Sequence, residues 1–278
     1  MADWRDWTVA ETAAWIRVPV AGDDKYSRGV LGVLTGSAEY PGAAVLGVEG
    51  AARTGLGMIR YLGDPMAAQL VLQRRPEIVT GSGRVQAWLV GSGMDASQRT
   101  GHLAGQLTEA LEQGVPVVLD AGALDLLDAA TGPAVITPHF RELARLLSAR
   151  GEAVSPDDIA ELPAHWARSA ADQLGVVVLL KGSTTYVAAP QGEGIRVTAG
   201  PPWLATAGAG DVLGGVLGAL LAAHADRILE VPELLAELAA AGAHLHGLAG
   251  ARASAGGPLV ALDIAEALPA TIAELLAT

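Results

Sequence analysis

The strongest chemical signal in the sequence is a glycine-rich run that leads into an apolar helix. Gly208, Ala209 and Gly210 precede Asp211, and we expect the helix to begin at about Asp211. Glycine lets a ligand approach the backbone closely, and the free N–H groups of a first helical turn bind anions. An acidic residue in this place is ordinarily only a cap, but a cap does not require Gly-Ala-Gly. The run therefore indicates an anion cradle at residues 208–210, with the Asp211 carboxylate at its mouth.

A second signal is a lysine at the end of an apolar run. Lys181 follows the apolar segment 176–180. Small and hydroxyl-bearing residues come next: Gly182, Ser183, Thr184 and Thr185. Sixteen of the eighteen basic residues are arginine, so a position that keeps lysine suits a compact charge of the kind that binds phosphate. The alternative is a lysine that simply leaves the core for solvent.

Three further loops follow predicted strands, and each is a weak signal alone. They are the segment 36–44, the glycine pair at 91–93, and the segment 137–142 that carries His139. A lone histidine after a strand is more often structural than catalytic. In open parallel sheets, however, ligands bind at the carboxyl ends of the strands. Five such loops in one chain therefore indicate a ligand site at that edge.

The elements that position these loops alternate between short apolar runs and helical stretches. We predict strands at 30–34, 58–62, 77–80, 87–90, 115–119, 134–136 and 176–180, and a hairpin of 184–189 with 194–197. We predict helices at 42–54, 97–113, 123–129, 140–149, 156–173, 211–223, 232–252 and 263–277. Continuous apolar strands between helices favour an α/β fold, in which a mostly parallel sheet is covered on both faces. No linker stands out, so we predict a single domain over residues 1–278.

Composition excludes several classes of protein. The 18 basic and 30 acidic residues give a net charge of −12, which disfavours nucleic acid as a partner. There are no cysteines, so disulfides and cysteine-ligated zinc are excluded. No signal peptide and no run long enough for a membrane span is visible, and we expect a cytoplasmic protein. His244 and His246 are two positions apart on a predicted helix, so their rings should diverge rather than share a metal.

The order of these motifs resembles that of the ADP-dependent NAD(P)H-hydrate dehydratases of the ribokinase-like superfamily, across about residues 9–270. The matching segments are 25–29, Gly36-Ser37 with Pro41-Gly42-Ala43, 91–93, 120–124, 137–142, Leu180-Lys181-Gly182 and 208–211. The chain departs from the family pattern at Tyr26, Ser92, Phe140, Arg141 and Ala207. The resemblance implies a three-layer αβα fold with a central, mostly parallel sheet. It also implies a stand-alone dehydratase without the N-terminal epimerase domain that many relatives carry.

The resemblance further implies the reaction and the role of each site residue. Hydrated NADH or NADPH would be converted back to NAD(P)H while ADP gives AMP and phosphate. Asp211 would be the catalytic base, and the amides of Gly208, Ala209 and Gly210 would hold the migrating phosphoryl group. The nucleotide would be bound by Gly210 and by Lys181, Gly182, Ser183, Thr184 and Thr185. The hydrated dinucleotide would be bound by Ala43, Gly93, His139 and Asp211.

Further expectations concern the metal and the assembly. Mg²⁺ is expected to accompany the nucleotide, and its ligands are not assigned, although Asp120 and Glu142 are candidates. The resemblance implies a homo-oligomer, by family a tetramer. Two alternatives stay open from the sequence. One is a ribokinase-like kinase of a small vitamin-precursor alcohol, which would use Asp211 in the same way but leave a stable phosphate ester. The other is a non-catalytic nucleotide sensor.

Overall fold

A nine-stranded sheet forms the centre of the molecule in the computed structural model, which describes residues 4–277. The strands are β1 (Trp4–Asp6), β2 (Val30–Leu34), β3 (Met58–Tyr61), β4 (Ala87–Val90), β5 (Val117–Leu119), β6 (Ala134–Ile136), β7 (Val177–Leu180), β8 (Thr185–Ala188) and β9 (Gly194–Val197). Their order is β1-β9-β8-β7-β6-β5-β4-β2-β3. All neighbours are parallel except the pairs β7–β8 and β8–β9, which are antiparallel. The expected mostly parallel sheet is confirmed.

Helices cover both faces of this sheet. They are α1 (Val9–Ala14), α2 (Pro41–Thr54), α3 (Pro65–Arg74), α4 (Gly101–Leu111), α5 (Phe140–Ser148), α6 (Pro156–Glu161), α7 (Pro163–Leu174), α8 (Ala209–Ala223), α9 (Ala225–Glu230), α10 (Leu234–Ser254) and α11 (Ala261–Leu275). Successive strand residues alternate between two cores: Leu31 and Val33 pack with α2, α8 and α10, whereas Val30 and Leu34 pack with the α4–α7 layer. This alternation is what a strand buried on both faces requires, and it confirms the three-layer arrangement. No helix in residues 4–277 combines the length and apolar character that crossing a bilayer demands.

Several predicted elements need correction. The segment 77–80 is not a strand, since only Val79 makes an isolated bridge, to Arg60. The predicted helix 156–173 is two helices, α6 and α7, because Pro163 has no N–H to continue the first one. The segment 123–129 belongs to a 3₁₀ helix, Ala121–Ala129. The sequence analysis missed β1, α1, α3 and α9.

Helices α2 and α8 touch through their backbones. A Cβ atom on Gly215 would lie 2.0 Å from the carbonyl oxygen of Gly47, and one on Gly50 would lie 2.5 Å from the carbonyl oxygen of Val212. Real side chains cannot approach so closely, so only glycine permits this packing. Because both helices start at the carboxyl edge of the sheet, the contact fixes the position of two of the loops identified above.

A buried carboxylate joins α2 to its other neighbours. Glu49 is fully buried and pairs with Arg53 at 2.7 Å, Arg74 at 3.0 Å and Arg75 at 2.6 Å. Arg74 also reaches Glu266 of α11 at 2.8 Å. Burial alone would raise the pKa of Glu49, but the hydrogen bonds from Arg75 and Arg53 outweigh it and lower that pKa to about 2. The cluster ties α2, α3 and α11 together away from the loops.

Candidate active site

Four consecutive strands each contribute one polar side chain just beyond their carboxyl ends. Asp120, after β5, accepts hydrogen bonds from Ser92 at 2.9 Å and from Thr137 at 2.7 Å. Lys181, after β7, donates to the same carboxylate at 2.9 Å. Burial opposes ionisation of Asp120, but the Lys181 ammonium and the three hydrogen bonds hold its pKa below the usual range. The edge of the sheet is therefore organised around one ionised, fully paired carboxylate.

Lys181 does not leave the core for solvent. Its side chain is 22% exposed, and Glu142 of α5 lies 3.7 Å from its Nζ atom as a second acidic neighbour. The glutamate is itself fixed, because it forms a capping box with His139 at the start of α5. Burial tends to lower the pKa of Lys181, but Asp120 and Glu142 raise it above the ordinary value. The ammonium is therefore held charged at a defined place.

Asp211 has a different environment from Asp120. It lies in the first turn of α8, which begins at Ala209, two residues earlier than expected, and no side chain caps that helix. The simple capping role is therefore wrong for Asp211. Burial raises its pKa to about 6, repulsion from Asp120 adds to the rise, and Lys181 opposes it. A carboxylate with such a pKa is ionised at neutral pH and still accepts a proton readily.

The two glycines before Asp211 differ in what surrounds them. Gly208 has φ +88°, and a Cβ atom there would lie 2.5 Å from Leu46 and 3.0 Å from Ala261. Within the described chain, a Cβ atom on Gly210 would meet only Lys181 Nζ, at 3.7 Å. Gly208 is therefore required by the backbone, whereas the space in front of Gly210 is open. That space lies between the uncapped first turn of α8 and a lysine ammonium, which suits an anion.

Ala43 and Gly93 lie together on the other side of the loops. Gly93 has φ +67°, and a Cβ atom there would lie 2.4 Å from the Cβ atom of Ala43 and 3.0 Å from the carbonyl oxygen of Tyr40. The glycine loop that follows β4 therefore closes against the start of α2. No side chain larger than hydrogen fits at Gly93 without moving the α2 loop away.

A cavity of about 700 Å³ opens beside Lys181. Its lining includes His139 together with four of the residues that we predicted for the nucleotide or its neighbourhood: Lys181, Gly182, Ser183 and Thr185. Thr184 belongs to the same turn, but neither Thr184 nor Gly210 is among the residues that line the cavity. His139 lines this cavity, whereas Ala43 and Gly93 do not. Leu204 and His246 also line it.

Comparison with known proteins identifies the family. A family model described as NAD(P)H-hydrate dehydratase matches residues 31–270. The chain belongs to the NAD(P)H-hydrate dehydratase family. Among curated relatives, the bifunctional NAD(P)H-hydrate repair enzyme Nnr of Mycobacterium leprae is 42% identical over 226 residues, which are 77% of this chain and 45% of that protein. The chain thus spans about half the length of the bifunctional relatives that it matches.

Two other members of the NAD(P)H-hydrate dehydratase family match over more of their length. The ADP-dependent (S)-NAD(P)H-hydrate dehydratase of Neisseria meningitidis is 38% identical over 239 residues, covering 80% of this chain and 76% of that protein. The ADP/ATP-dependent NAD(P)H-hydrate dehydratase of Bacillus subtilis, crystallised with ATP and Mg²⁺, superposes with a TM-score of 0.83 at 26% identity over 99% of both chains. A ribokinase-like protein of Enterococcus faecalis, at 22% identity and TM-score 0.82, shows the same fold.

The candidate magnesium ligands do not fit a metal bound by this member of the family. The Asp120 carboxylate already accepts from Ser92, Thr137 and Lys181. The Glu142 carboxylate accepts from the His139 backbone and faces the Lys181 ammonium. Within residues 4–277, no group of three or more acidic or histidine side chains is placed to hold a metal ion.

Sequence reasoning missed part of the site. Ser92 and Thr137 were read as parts of loops, and their hydrogen bonds to Asp120 were not foreseen. His246 was considered only as one of two histidines that diverge. The structure shows that divergence, because His244 hydrogen bonds to Thr12 at 2.7 Å while His246 faces the cavity. Nothing in a single helical sequence reports which of two neighbouring residues borders a cavity.

Proposed function

We propose that this chain converts hydrated NADH and NADPH back to NAD(P)H, using ADP as phosphoryl donor and releasing AMP and phosphate. The observation that carries the proposal is the placement of Asp211, which has a raised pKa and no cap role, beside the open space between Gly210 and Lys181. The family membership supports the same reaction, because relatives are named NAD(P)H-hydrate dehydratases.

The first step is phosphoryl transfer. The C6 hydroxyl of the hydrated nicotinamide ring is a poor leaving group, and Asp211 takes its proton as the oxygen attacks the β-phosphorus of ADP. The bond between the β-phosphorus and the bridging oxygen breaks, and AMP leaves with that electron pair. The first-turn amides of α8 and the Lys181 ammonium are already in place, and they stabilise the negative charge on the migrating phosphoryl group electrostatically.

The second step is elimination. The lone pair on the ring nitrogen expels phosphate from C6, and loss of the proton on C5 then restores the double bond of NAD(P)H. One hydrated dinucleotide and one ADP therefore give one NAD(P)H, one AMP and one phosphate. A kinase of a stable alcohol would stop after the first step, because its product has no ring nitrogen to expel phosphate.

The two substrates are proposed to occupy the two sides of Asp211. ADP would lie in the cavity lined by Lys181, Gly182, Ser183 and Thr185, with its β-phosphate in front of Gly210. The hydrated ring would lie between Asp211 and the contact of Ala43 with Gly93. His139 would reach the more distant part of the dinucleotide from the cavity rim. We propose that Mg²⁺ arrives on the nucleotide phosphates, as the co-crystal of the Bacillus subtilis relative suggests.

Three further proposals rest on the family, for the assembly, and on the sequence, for the location and the domain. They are a homo-oligomeric assembly, a cytoplasmic location and a single dehydratase domain, and they are tested by gel filtration with light scattering, cell fractionation and limited proteolysis. The proposal that this chain uses ADP rather than ATP also rests on the names of relatives, and those names include both nucleotides.

The decisive test is turnover of chemically prepared hydrated NADH with ADP. We expect NADH and inorganic phosphate to appear in equal amounts, with AMP as the nucleotide product. The matched control offers a small vitamin alcohol such as hydroxyethylthiazole with ATP. Formation of a stable phosphate ester there, without phosphate release from hydrated NADH, would assign the chain to the alternative kinase activity. Nucleotide binding without either turnover would instead assign a sensor.

A further inference from the structure

His246 carries an unpaired, buried ring nitrogen and is one of the residues that line the nucleotide-side cavity. The residue lies on α10, is 7% exposed, and lines the same cavity as Lys181 and Ser183. Its Nε2 atom is buried and has no hydrogen-bond partner among the described residues. Buried polar atoms are almost always paired, so an unpaired one that borders a cavity indicates a position for a ligand.

The protonation of the ring determines what that ligand must offer. Burial lowers the pKa of His246 to about 4, although a hydrogen bond to the backbone of Ala209 opposes the shift. The imidazole is therefore neutral at physiological pH and carries one N–H, which it donates to the Ala209 carbonyl. The other nitrogen, Nε2, is then an acceptor. The ligand group at this place must be a hydrogen-bond donor.

The position of His246 selects among the donors of a nucleotide. Ala209 is the first residue of α8, directly before Gly210, and His246 lines the same cavity as Lys181, so His246 lies near the proposed phosphate position. Phosphate oxygens are acceptors and do not pair with an acceptor nitrogen. The ribose is the part of ADP that adjoins its phosphates, and it carries two hydroxyl donors.

We propose that His246 accepts a hydrogen bond from a ribose hydroxyl of the nucleotide and selects ribonucleotides over deoxyribonucleotides. The inference rests on the proposed function, since it assumes that ADP occupies this cavity. His246 would be a specificity-determining residue, and it takes no part in the chemical steps assigned to Asp211.

The test is titration calorimetry with ADP, 2′-deoxy-ADP and 3′-deoxy-ADP. For the wild-type protein we expect one of the two deoxynucleotides to bind about tenfold more weakly than ADP, the factor that one ordinary hydrogen bond supplies. His246→Phe should bind ADP about tenfold more weakly and should bind all three nucleotides alike. His246→Gln, which can place an acceptor oxygen near the position of Nε2, should keep most of the discrimination.

The control is His244→Phe, which removes an equally buried imidazole from the same helix but does not border the cavity. It should bind all three nucleotides as the wild type does. If His246→Phe fails to fold, the ¹⁵N resonance of Nε2 in the wild-type protein decides, because accepting a hydrogen bond from ADP must shift it and the matching deoxynucleotide must not.

Equal binding of the three nucleotides by the wild type would overturn the assignment, and so would discrimination that survives in His246→Phe. Both outcomes leave the proposed function intact, provided that ADP binds and supports turnover. Failure of the protein to bind ADP at all would instead contradict the proposed function.

Discussion

Burial disfavours the ionised form of both the Asp211 and the Glu49 carboxylates, yet the pKa values of the two groups are shifted in opposite directions. Glu49 on α2 is surrounded by Arg53, Arg74 and Arg75, and its pKa falls to about 2. Asp211 on α8 has no paired cation and a neighbouring negative charge at Asp120, and its pKa rises to about 6. Glu49 is fully buried and Asp211 only partly buried, so the lower pKa of Glu49 comes from its arginine partners and not from its depth in the fold.

The comparison separates stability from chemistry. A carboxylate that is saturated by arginines holds helices together and cannot take a proton near neutral pH. A carboxylate that is desolvated and left unpaired destabilises its surroundings when ionised, but it is a competent base. The following four predictions test whether the two residues really differ in this way.

Asp211→Asn should have the largest effect on activity. Loss of the base should lower kcat by roughly 10²–10⁴-fold, while ADP binding stays within about threefold of the wild type. Because the ionised carboxylate is unfavourable where it lies, the variant should also be more stable at pH 8, by about 1–3 kcal/mol. Steady-state kinetics and urea unfolding measure the two effects.

The control for this prediction is Asp263→Asn. Asp263 also lies in the first turn of an apolar helix, but its carboxylate caps α11 by accepting from the Val260 N–H at 3.0 Å. Its replacement should cost stability slightly and leave kcat unchanged. Near-normal turnover by Asp211→Asn would show that another group is the base.

Glu49→Gln should have the opposite effect to Asp211→Asn: stability should fall and activity should stay. Three arginines lose their shared partner, and we expect the free energy of unfolding to fall by about 2–4 kcal/mol at pH 7, with kcat per folded molecule unchanged. Glu77→Gln is the control, because Glu77 is 58% exposed and lies 3.5 Å from Arg75, where a pair contributes little. Equal stability losses in the two variants would mean that burial of Glu49 has no special role.

Lys181→Met should lower both the affinity for ADP and the stability of the fold. ADP should bind about 10–100-fold more weakly, as expected when a charged donor to phosphate is lost, while binding of hydrated NADH should change less than threefold. Asp120 would also lose its cation, so the melting temperature should fall. Lys25→Met, which replaces the other lysine of the chain, should change neither. Equal losses for both ligands, measured by calorimetry below the melt, would place Lys181 outside the nucleotide side.

The pH dependence should differ in sign between the two carboxylates. Asp211 has a folded pKa of about 6, above its ordinary value of 3.8, so its contribution to stability is lost as the pH rises from about 4 to 6. Glu49 has a folded pKa of about 2, below its ordinary value of 4.5, so its contribution is lost as the pH falls from about 4.5 to 2. As the pH is lowered, turnover should fall with an apparent pKa near 6, because Asp211 becomes protonated. Unfolding and rate profiles of the wild type and both variants would show whether these windows are assigned correctly.

Hydrophobic patterning predicted most of the fold. The continuous apolar runs at 30–34 and 87–90 were correctly read as buried strands, since both faces of the sheet are covered. The strand β1 was missed because three residues with two charges carry no apolar pattern, and it exists through pairing with β9, far away in sequence. The boundary between α6 and α7 was readable from Pro163 and was overlooked.

The proximity of the candidate residues was predictable from the sequence, and their roles stay predictions. Gly208, Gly210, Asp211 and Lys181 lie close together because strand-end loops of a parallel sheet meet at one edge. The different roles of the two glycines could not be predicted from the sequence, because only their packing distinguishes the enclosed Gly208 from the open Gly210. The Asp120 network was equally hidden, because its hydrogen bonds join pairs of residues up to 61 positions apart.

The glycine contact between α2 and α8 fixes the distance between these two helices, and therefore the distance between the loops at their N-termini. One helix begins at the proposed dinucleotide side and the other at the proposed phosphoryl side, and at Gly50 and Gly215 their backbones meet with no side chain between them. A methyl group at either position would push the helices apart and move one substrate relative to the other. Each substrate could then still bind in its own half, while the hydroxyl oxygen would no longer reach the phosphorus.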